Sequence, residues 1–251
     1  FEALVGADRR RAAWVLQGLW TDLPLFAGIH RREPDPELPE QDALQRLQAD
    51  YRSVGLSVDL HPMQLVREAL DQVHVAPSIV IGNSLGGAVA LKYVIARPER
   101  VLGAVLFSPG GAPMDAAELG ALRATLRVDA HADAVRFVRD LHARPVGLRA
   151  HLLAPLIRRS LGDPVLRAWL DQVSLDDFLT AEEVASVPRP IRVVWGQQER
   201  ILPWSAREFW RSNLPSHSEV SEPEGFGHSP FLDDRRWTAN EIATFARRIA
   251  P

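Results

Sequence analysis

The chain has 251 residues, of which 46% are hydrophobic and 24% charged, with a formal net charge of -3 at pH 7 and no cysteine. These values are typical of a globular α/β protein with one large domain or a core plus an insertion. They argue against a nucleic-acid partner and exclude disulfides, thiolate metal sites and a cysteine nucleophile. No apolar run reaches the length of a membrane span and no signal peptide is recognised, so the default expectation is a cytoplasmic protein.

The first third of the chain predicts an alternation of strands and helices around a loop that is rich in proline. The expected elements are strands at 1–6, 12–16 and 44–49 and a helix at 63–73. The second strand ends at Gln17-Gly18-Leu19, where a glycine would let a ligand approach the main chain closely. Gly18 is therefore a candidate substrate-binding residue.

A nucleophile elbow is predicted at Gly82-Asn83-Ser84-Leu85-Gly86, which matches the pattern Gly-x-Ser-x-Gly. A short apolar strand begins at Ser78, and a helix is expected over 88–96. This context holds the serine on a sharp corner at a helix N-terminus, where backbone N–H groups can bind an oxyanion. The flanking glycines lack Cβ atoms, which would otherwise collide at such a corner. A phosphate-binding loop is excluded because Gly87 is followed by alanine rather than lysine.

The middle of the chain predicts one more buried strand, over 101–107, followed by a long helical region. Strands alternating with helices indicate a parallel sheet, whose functional residues gather at the carboxyl ends of the strands. Five consecutive helices without a strand indicate an inserted helical lid. The expected helices are at 115–126, 130–141, 148–160, 164–173 and 181–187.

The last part of the chain returns to alternating strands and helices. The expected elements are strands at 191–195 and 219–220 and helices at 204–212 and 237–249. The sequence thus predicts a core formed by residues 1–110 and 190–251, with residues 111–189 inserted as the lid.

A serine nucleophile needs a base, and the base needs an orienting acid. In hydrolases of this strand–helix type the chain order is serine, acid, histidine. His228 follows a glycine after the last predicted strand and is the candidate base. Glu199, just past the strand at 191–195, is the candidate acid, with Asp115 and Glu224 as alternatives.

Four further segments beside the elbow, in the matching order, resemble the α/β-hydrolase superfamily over nearly the whole chain. They are Gln17-Gly18-Leu19, the loop Asp50-Tyr51-Arg52-Ser53-Val54-Gly55-Leu56-Ser57, the acid segment Trp195-Gly196-Gln197-Gln198-Glu199-Arg200-Ile201-Leu202-Pro203, and Gly227-His228. The resemblance implies an oxyanion hole from the backbone amides of Leu19 and Leu85. Glu199 replaces the commoner aspartate of that family, Gln17 its usual histidine and Ser53 its usual glycine.

The function expected from these residues is hydrolysis of an ester or similar acyl bond in a small, hydrophobic substrate, with no metal or organic cofactor. Asn83, a second candidate substrate-binding residue, resembles the residue before the nucleophile in hydrolases that cleave carbon–carbon bonds of ring-fission products, which is the first alternative. A non-catalytic protein that traps a ligand beneath the lid is the second. The sequence leaves the oligomeric state open.

Overall fold

A parallel sheet forms the centre of the computed structural model, which describes residues 77–249. Within this range the sheet has four strands in the order β1-β2-β3-β4, and every neighbouring pair is parallel. The strands are β1 (Ser78–Asn83), β2 (Val101–Phe107), β3 (Ile191–Val194) and β4 (Glu219–Ser221). The expected elements between 1 and 73, together with Gly18 and Leu19, lie outside the described residues.

Helices connect these strands and confirm the predicted alternation. They are α1 (Leu85–Ala96), α2 (Ala116–Leu126), α3 (His131–Leu141), α4 (Arg149–Leu161), α5 (Pro164–Gln172), α6 (Ala181–Ala185), α7 (Trp204–Asn213), α8 (Pro230–Asp233) and α9 (Arg235–Ile249). The short helix α8 was not expected from the sequence, because four residues are too few to show a helical period. Among the helices of residues 77–249, none combines the length and apolar character that crossing a bilayer requires.

The sheet carries apolar residues on both faces because successive side chains of a strand point to opposite sides. On β2, Ala104 and Leu106 join a buried cluster that includes residues of α1 and α7. The alternate residues Val105 and Phe107 pack with Phe245 of α9 on the other face. Layers of helices therefore cover both faces, as expected for a strand with a continuous apolar sequence.

The five helices predicted between β2 and β3 are present as α2 to α6. Helices α3 and α4 pack against each other around a separate apolar cluster that includes Phe137, Ala150 and Ala154. Ile201, from the loop after β3, belongs to the same cluster and joins this helical region to the sheet. The role of residues 111–189 as a lid stays a prediction.

Candidate active site

Ser84 occupies a strained corner between β1 and α1. Its φ of 54° and ψ of -126° place it in a region that residues other than glycine seldom adopt. Its N–H donates to the carbonyl of Phe107 at 3.0 Å, and its carbonyl accepts from the N–H groups of Gly87 at 2.9 Å and Gly110 at 2.8 Å. Hydrogen bonds to β2, to α1 and to the loop after β2 thus hold the serine in this conformation.

Two glycines at the corner are required by close main-chain contacts. A Cβ atom on Gly82 would lie 2.3 Å from the carbonyl oxygen of Gly86, and one on Gly87 would lie 2.6 Å from Cβ of Pro109. At Gly86, by contrast, no described atom beyond its chain neighbours and the backbone of its own helix lies within 4 Å of the Cβ position. The glycine before the serine is therefore needed as expected, whereas on the helix side the crowded position is Gly87, because it faces the loop after β2.

Replacing Gly87 by alanine is expected to lower the free energy of unfolding by about 1–3 kcal/mol, because the new methyl group collides with the main chain of Pro109. Gly86→Ala is the matched control. It adds a methyl group to the same helical turn without such a contact and is expected to change stability by less than about 1 kcal/mol. Urea denaturation followed by circular dichroism measures both variants, and equal destabilisation would contradict this account.

His228 and Glu199 form a buried pair at the ends of the loops that follow β4 and β3. Nδ1 of His228 lies 2.8 Å from Oε2 of Glu199, and each side chain is 4% exposed. Because an ionised carboxylate only accepts hydrogen bonds, Nδ1 carries the hydrogen and Nε2 is left as a proton acceptor. The second carboxylate oxygen accepts from the N–H groups of Ile201 at 2.7 Å and Leu202 at 3.1 Å.

The ionised form of Glu199 is favoured despite its burial. Burial alone would raise the pKa of this carboxyl, but the hydrogen bond and charge of His228, together with the Ser108 hydroxyl and the Ile201 N–H, hold the pKa below its usual value. An ionised Glu199 can only accept the hydrogen bond that joins it to Nδ1 of His228.

Ser108 sits at the end of β2 with a positive φ of 38° and is fully buried. Its hydroxyl forms no hydrogen bond of normal geometry with any described residue, yet it lies close enough to Glu199 to favour the ionised carboxyl. Sequence reasoning did not single out Ser108. A serine after an apolar strand carries no signal of its own, and its place beside Glu199 depends on the pairing of β2 with β3.

The loops that carry Glu199 and His228 are tied together through their main chains. The N–H of Gln198 donates to the carbonyl of Phe226 at 3.0 Å, and Oε1 of Gln198 accepts from the N–H of Gly225 at 2.8 Å. A Cβ atom on Gly196 would lie 2.3 Å from the oxygen of Phe226, so only glycine allows the loops to approach this closely.

Asp233 joins the histidine loop to the helical region. Its carboxylate accepts from the N–H of Gly227 at 2.8 Å and from the N–H of Ala143 at 3.0 Å. Ala143 follows α3, so one carboxylate fixes the residue before His228 against the helices between β2 and β3. No sequence pattern marks Asp233, because its partners are main-chain groups brought near by the fold.

Asn83 joins the elbow to the histidine loop. Its Nδ2 donates to the carbonyls of Phe107 and His228, each at 2.9 Å, and its Oδ1 accepts from the hydroxyl of Ser229 at 3.1 Å. Both amide hydrogens are therefore used within the protein, which leaves one lone pair of Oδ1 for another partner. A contact of Asn83 with substrate stays a prediction.

The structure brings Ser84, His228 and Glu199 to one edge of the sheet, but it does not join all three by hydrogen bonds. In residues 77–249, neither Ser84 Oγ nor His228 Nε2 has a hydrogen-bond partner. The main chain of His228 is held beside the elbow by Asn83. Leu85 begins α1, so its N–H has no partner within the helix and is available at the corner.

The two alternative acids have other surroundings. Asp115 caps α2, where its carboxylate accepts from the N–H of Glu118 at 2.8 Å. Glu224 is exposed to solvent. Of the three candidate acids, Glu199 is the one that is hydrogen-bonded to His228.

Among the described residues, no group of three or more His, Asp or Glu side chains is arranged to hold a metal ion.

Known proteins match this chain over most of its length or over parts of it. A family model described as the alpha/beta hydrolase family matches residues 6–241. The error-prone DNA polymerase of Mesorhizobium japonicum is 36% identical over 92 residues, which cover 33% of this chain and 8% of the polymerase. Because the match spans so little of that polymerase, it carries no statement about the activity of this chain.

Solved structures of several hydrolases share the fold. A serine hydrolase from the polyaromatic-hydrocarbon-degrading bacterium Cycloclasticus zankles superposes with a TM-score of 0.64 and 18% identity, covering 78% of this chain and 77% of that one. A 2-hydroxy-6-oxo-6-phenylhexa-2,4-dienoate hydrolase from Rhodococcus sp. strain RHA1 superposes with a TM-score of 0.61 and 21% identity, covering 77% of each chain. Identities this low establish the common fold alone.

Proposed function

Because this chain belongs to the alpha/beta hydrolase family, we propose that it is a serine hydrolase that cleaves an ester or similar acyl bond of a small, hydrophobic substrate. Ser84 is the nucleophile, His228 the general base and Glu199 the acid that orients it. The observation that carries this proposal is the buried contact of 2.8 Å between His228 and Glu199, in the same region as a serine held at a positive φ.

In the first half of the reaction, Nε2 of His228 takes the hydroxyl proton of Ser84 while Oγ attacks the carbonyl carbon of the substrate. The electron pair of the carbonyl moves onto its oxygen and forms a tetrahedral oxyanion. This intermediate collapses to an acyl-serine, and His228 returns its proton to the leaving alcohol. Glu199 keeps Nδ1 protonated, so Nε2 is the nitrogen that accepts and donates this proton.

In the second half, a water molecule gives a proton to His228 while its oxygen attacks the acyl carbon. The tetrahedral intermediate then breaks its bond to Oγ and releases the carboxylic acid, and His228 returns the proton to Oγ, which restores Ser84. The oxyanion of both intermediates would accept hydrogen bonds from the N–H groups of Leu85 and Leu19. The N–H at the start of α1, which has no acceptor within the helix, supports the role of Leu85. The role of Leu19 rests on the resemblance of its segment to the family. A substrate contact of Gly18 rests on its place at the carboxyl end of a predicted strand, where a glycine lets a ligand approach the main chain.

The helical region of residues 111–189 is proposed to act as a lid that selects substrates by size and excludes water. Support comes from its contacts with the loops of the site. Ala143 is bound by Asp233, and the apolar cluster of α3 and α4 includes Ile201, whose N–H binds Glu199. A shift of these helices would therefore act directly on the loops that carry the acid and the base.

A carbon–carbon bond hydrolase is the second candidate, favoured by Asn83 before the nucleophile and by the fold shared with the Rhodococcus dienoate hydrolase. The hydrogen bonds of Asn83 weaken the first of these observations, because they give this residue a structural role in any reaction. Incubation with a coloured dienoate ring-fission product separates the two. Loss of its absorbance at a rate exceeding ester hydrolysis would favour the second candidate.

Labelling with a fluorophosphonate probe tests the proposed nucleophile. Wild-type protein is expected to be labelled at Ser84, as located by peptide mass mapping, and Ser84→Ala is expected to remain unlabelled. Ser186→Ala, at the end of α6, is the matched control and is expected to label like the wild type. Failure of folded wild type to react, with a smaller phosphonate as well, would overturn the proposal in favour of a non-catalytic ligand-binding protein.

Asn83→Ala is expected to lower kcat for a p-nitrophenyl ester by about 10- to 100-fold, because the main chain of His228 loses its anchor at the elbow. Loss of the buried hydrogen bonds should also lower the free energy of unfolding by about 1–3 kcal/mol. Asn213→Ala, which removes a 2.7 Å hydrogen bond to Phe209 within α7, is the control. It is expected to leave kcat unchanged, and a similar loss in both variants would contradict a specific role of Asn83.

A further inference from the structure

The outward side of α4 exposes a row of leucine side chains. Leu148, Leu152 and Leu156 follow one another at four-residue intervals, so they lie along one face of the helix. Their exposed fractions are 82%, 76% and 63%, respectively. Single exposed leucines are common on protein surfaces. A row of three on one helix is a continuous apolar surface, which is typical of a site that binds another molecule or a membrane.

The opposite side of α4 fixes the orientation of this row. Ala150 and Ala154 are fully buried in the apolar cluster shared with α3. They hold α4 against the rest of the protein, so the row of leucines faces away from it. Leu148, Leu152 and Leu156 together form an exposed apolar surface, the leucine row.

The helix that carries the leucine row also carries positive charge. From Leu141 to Gly162 the sequence contains four arginines and neither aspartate nor glutamate, although the whole chain has a net charge of -3. Arg149, Arg158 and Arg159 are exposed, and none of them forms an ion pair with another described residue. An amphipathic helix with exposed leucines and unpaired arginines is typical of proteins that bind at a lipid–water interface.

We propose that the leucine row docks on the surface of anionic phospholipids, with the leucines entering the acyl boundary and the arginines contacting the phosphates. A second copy of the chain fits this surface less well, since a symmetric contact would bring arginines together without carboxylates on α4 to offset them. A nucleic acid fits less well because it offers no apolar partner for the leucines. Lipid-surface binding does not require hydrolysis and therefore goes beyond the proposed reaction.

Vesicle sedimentation tests this proposal on the full chain carrying Ser84→Ala, so that its outcome is independent of hydrolysis. The protein is expected to sediment with vesicles of phosphatidylcholine mixed with phosphatidylglycerol, and more weakly with phosphatidylcholine alone or at high salt. Leu152→Gln is expected to weaken binding to the mixed vesicles by about tenfold. Arg159→Gln is expected to weaken it by about fivefold.

Matched substitutions away from α4 serve as controls. Leu175→Gln removes an exposed leucine elsewhere in the helical region, and Arg236→Gln removes an exposed arginine of α9. Both are expected to bind vesicles like the parent.

Absence of vesicle binding, or equal losses in the control variants, would overturn the proposal. Self-association of the parent that Leu152→Gln abolishes, in place of vesicle binding, would assign the leucine row to a second copy instead. If the parent does not bind vesicles and Leu152→Gln lowers the melting temperature, another part of the chain covers the leucine row.

Discussion

Replacing His228 by glutamine is expected to lower kcat/KM for a p-nitrophenyl ester by about 10⁴- to 10⁶-fold. The amide of glutamine can still donate a hydrogen bond toward Glu199, but it cannot take the proton of Ser84 or return it to the leaving group. Removing the base leaves only the oxyanion donors and substrate binding to accelerate the reaction. Glutamine is preferred over alanine because alanine would leave the buried carboxylate of Glu199 without its partner and would destabilise the fold.

His217→Gln is the matched control for this experiment. Its ring lies 3.0 Å from the carbonyl of Val187, away from the elbow, and its loss is expected to change kcat/KM by less than about twofold. Circular dichroism and thermal melting establish that both variants are folded. A folded His228→Gln protein that retains more than about one per cent of wild-type activity would remove His228 from the reaction.

Replacing Glu199 by glutamine is expected to lower kcat by about 10³- to 10⁴-fold. The neutral amide can turn its N–H₂ group toward Nδ1, which then favours the tautomer with the hydrogen on Nε2, where it cannot accept the proton of Ser84. Glu199→Asp supplies the family's commoner acid on a shorter side chain and is expected to retain more activity than glutamine. Glu224→Gln, in the exposed loop before His228, should behave like the wild type, and equal losses in both glutamine variants would refute the role of Glu199.

Glu199→Gln is also expected to change how the free energy of unfolding depends on pH. Because the folded protein holds the pKa of Glu199 below its usual value, the unfolded chain binds a proton there first as the pH falls. The contribution of Glu199 is therefore complete above its unfolded pKa of about 4.3 and is lost as the pH falls toward the folded value. Urea denaturation at neutral pH and at about pH 4 should show a smaller loss of stability for Glu199→Gln than for wild type.

Local patterns predicted most of the fold in the described residues. β2 has the predicted bounds because its continuous apolar run ends at polar residues on both sides, Arg100 and Ser108. The elbow was predicted because strand, glycines and helix are contiguous in sequence. Glu199 and His228 could be proposed because their positions after strands and their order along the chain are those of serine hydrolases, and the structure adds their hydrogen bond.

Contacts between distant parts of the chain could not be predicted in this way. The indole N–H of Trp210 donates to the carbonyl of Pro109 at 3.0 Å and thereby supports the loop beneath the elbow, but any tryptophan in an amphipathic helix would look the same in the sequence. Asp233 and Ser108 act through groups that come near only when the sheet has formed. The amide of Asn83 likewise binds a carbonyl 145 residues away.

The hydrogen bond from the Ser84 N–H to Phe107 gives the two halves of the site different resistance to local opening. Phe107 ends β2, a strand paired on both sides and buried on both faces, and such strands exchange their amide hydrogens most slowly. The Ser84 amide therefore belongs to the part of the protein that opens last. His228 lies in a loop outside the sheet, which is held to other loops and to the elbow by hydrogen bonds rather than by strand pairing. Partial opening would therefore separate the base from the site while the nucleophile keeps its place on the sheet.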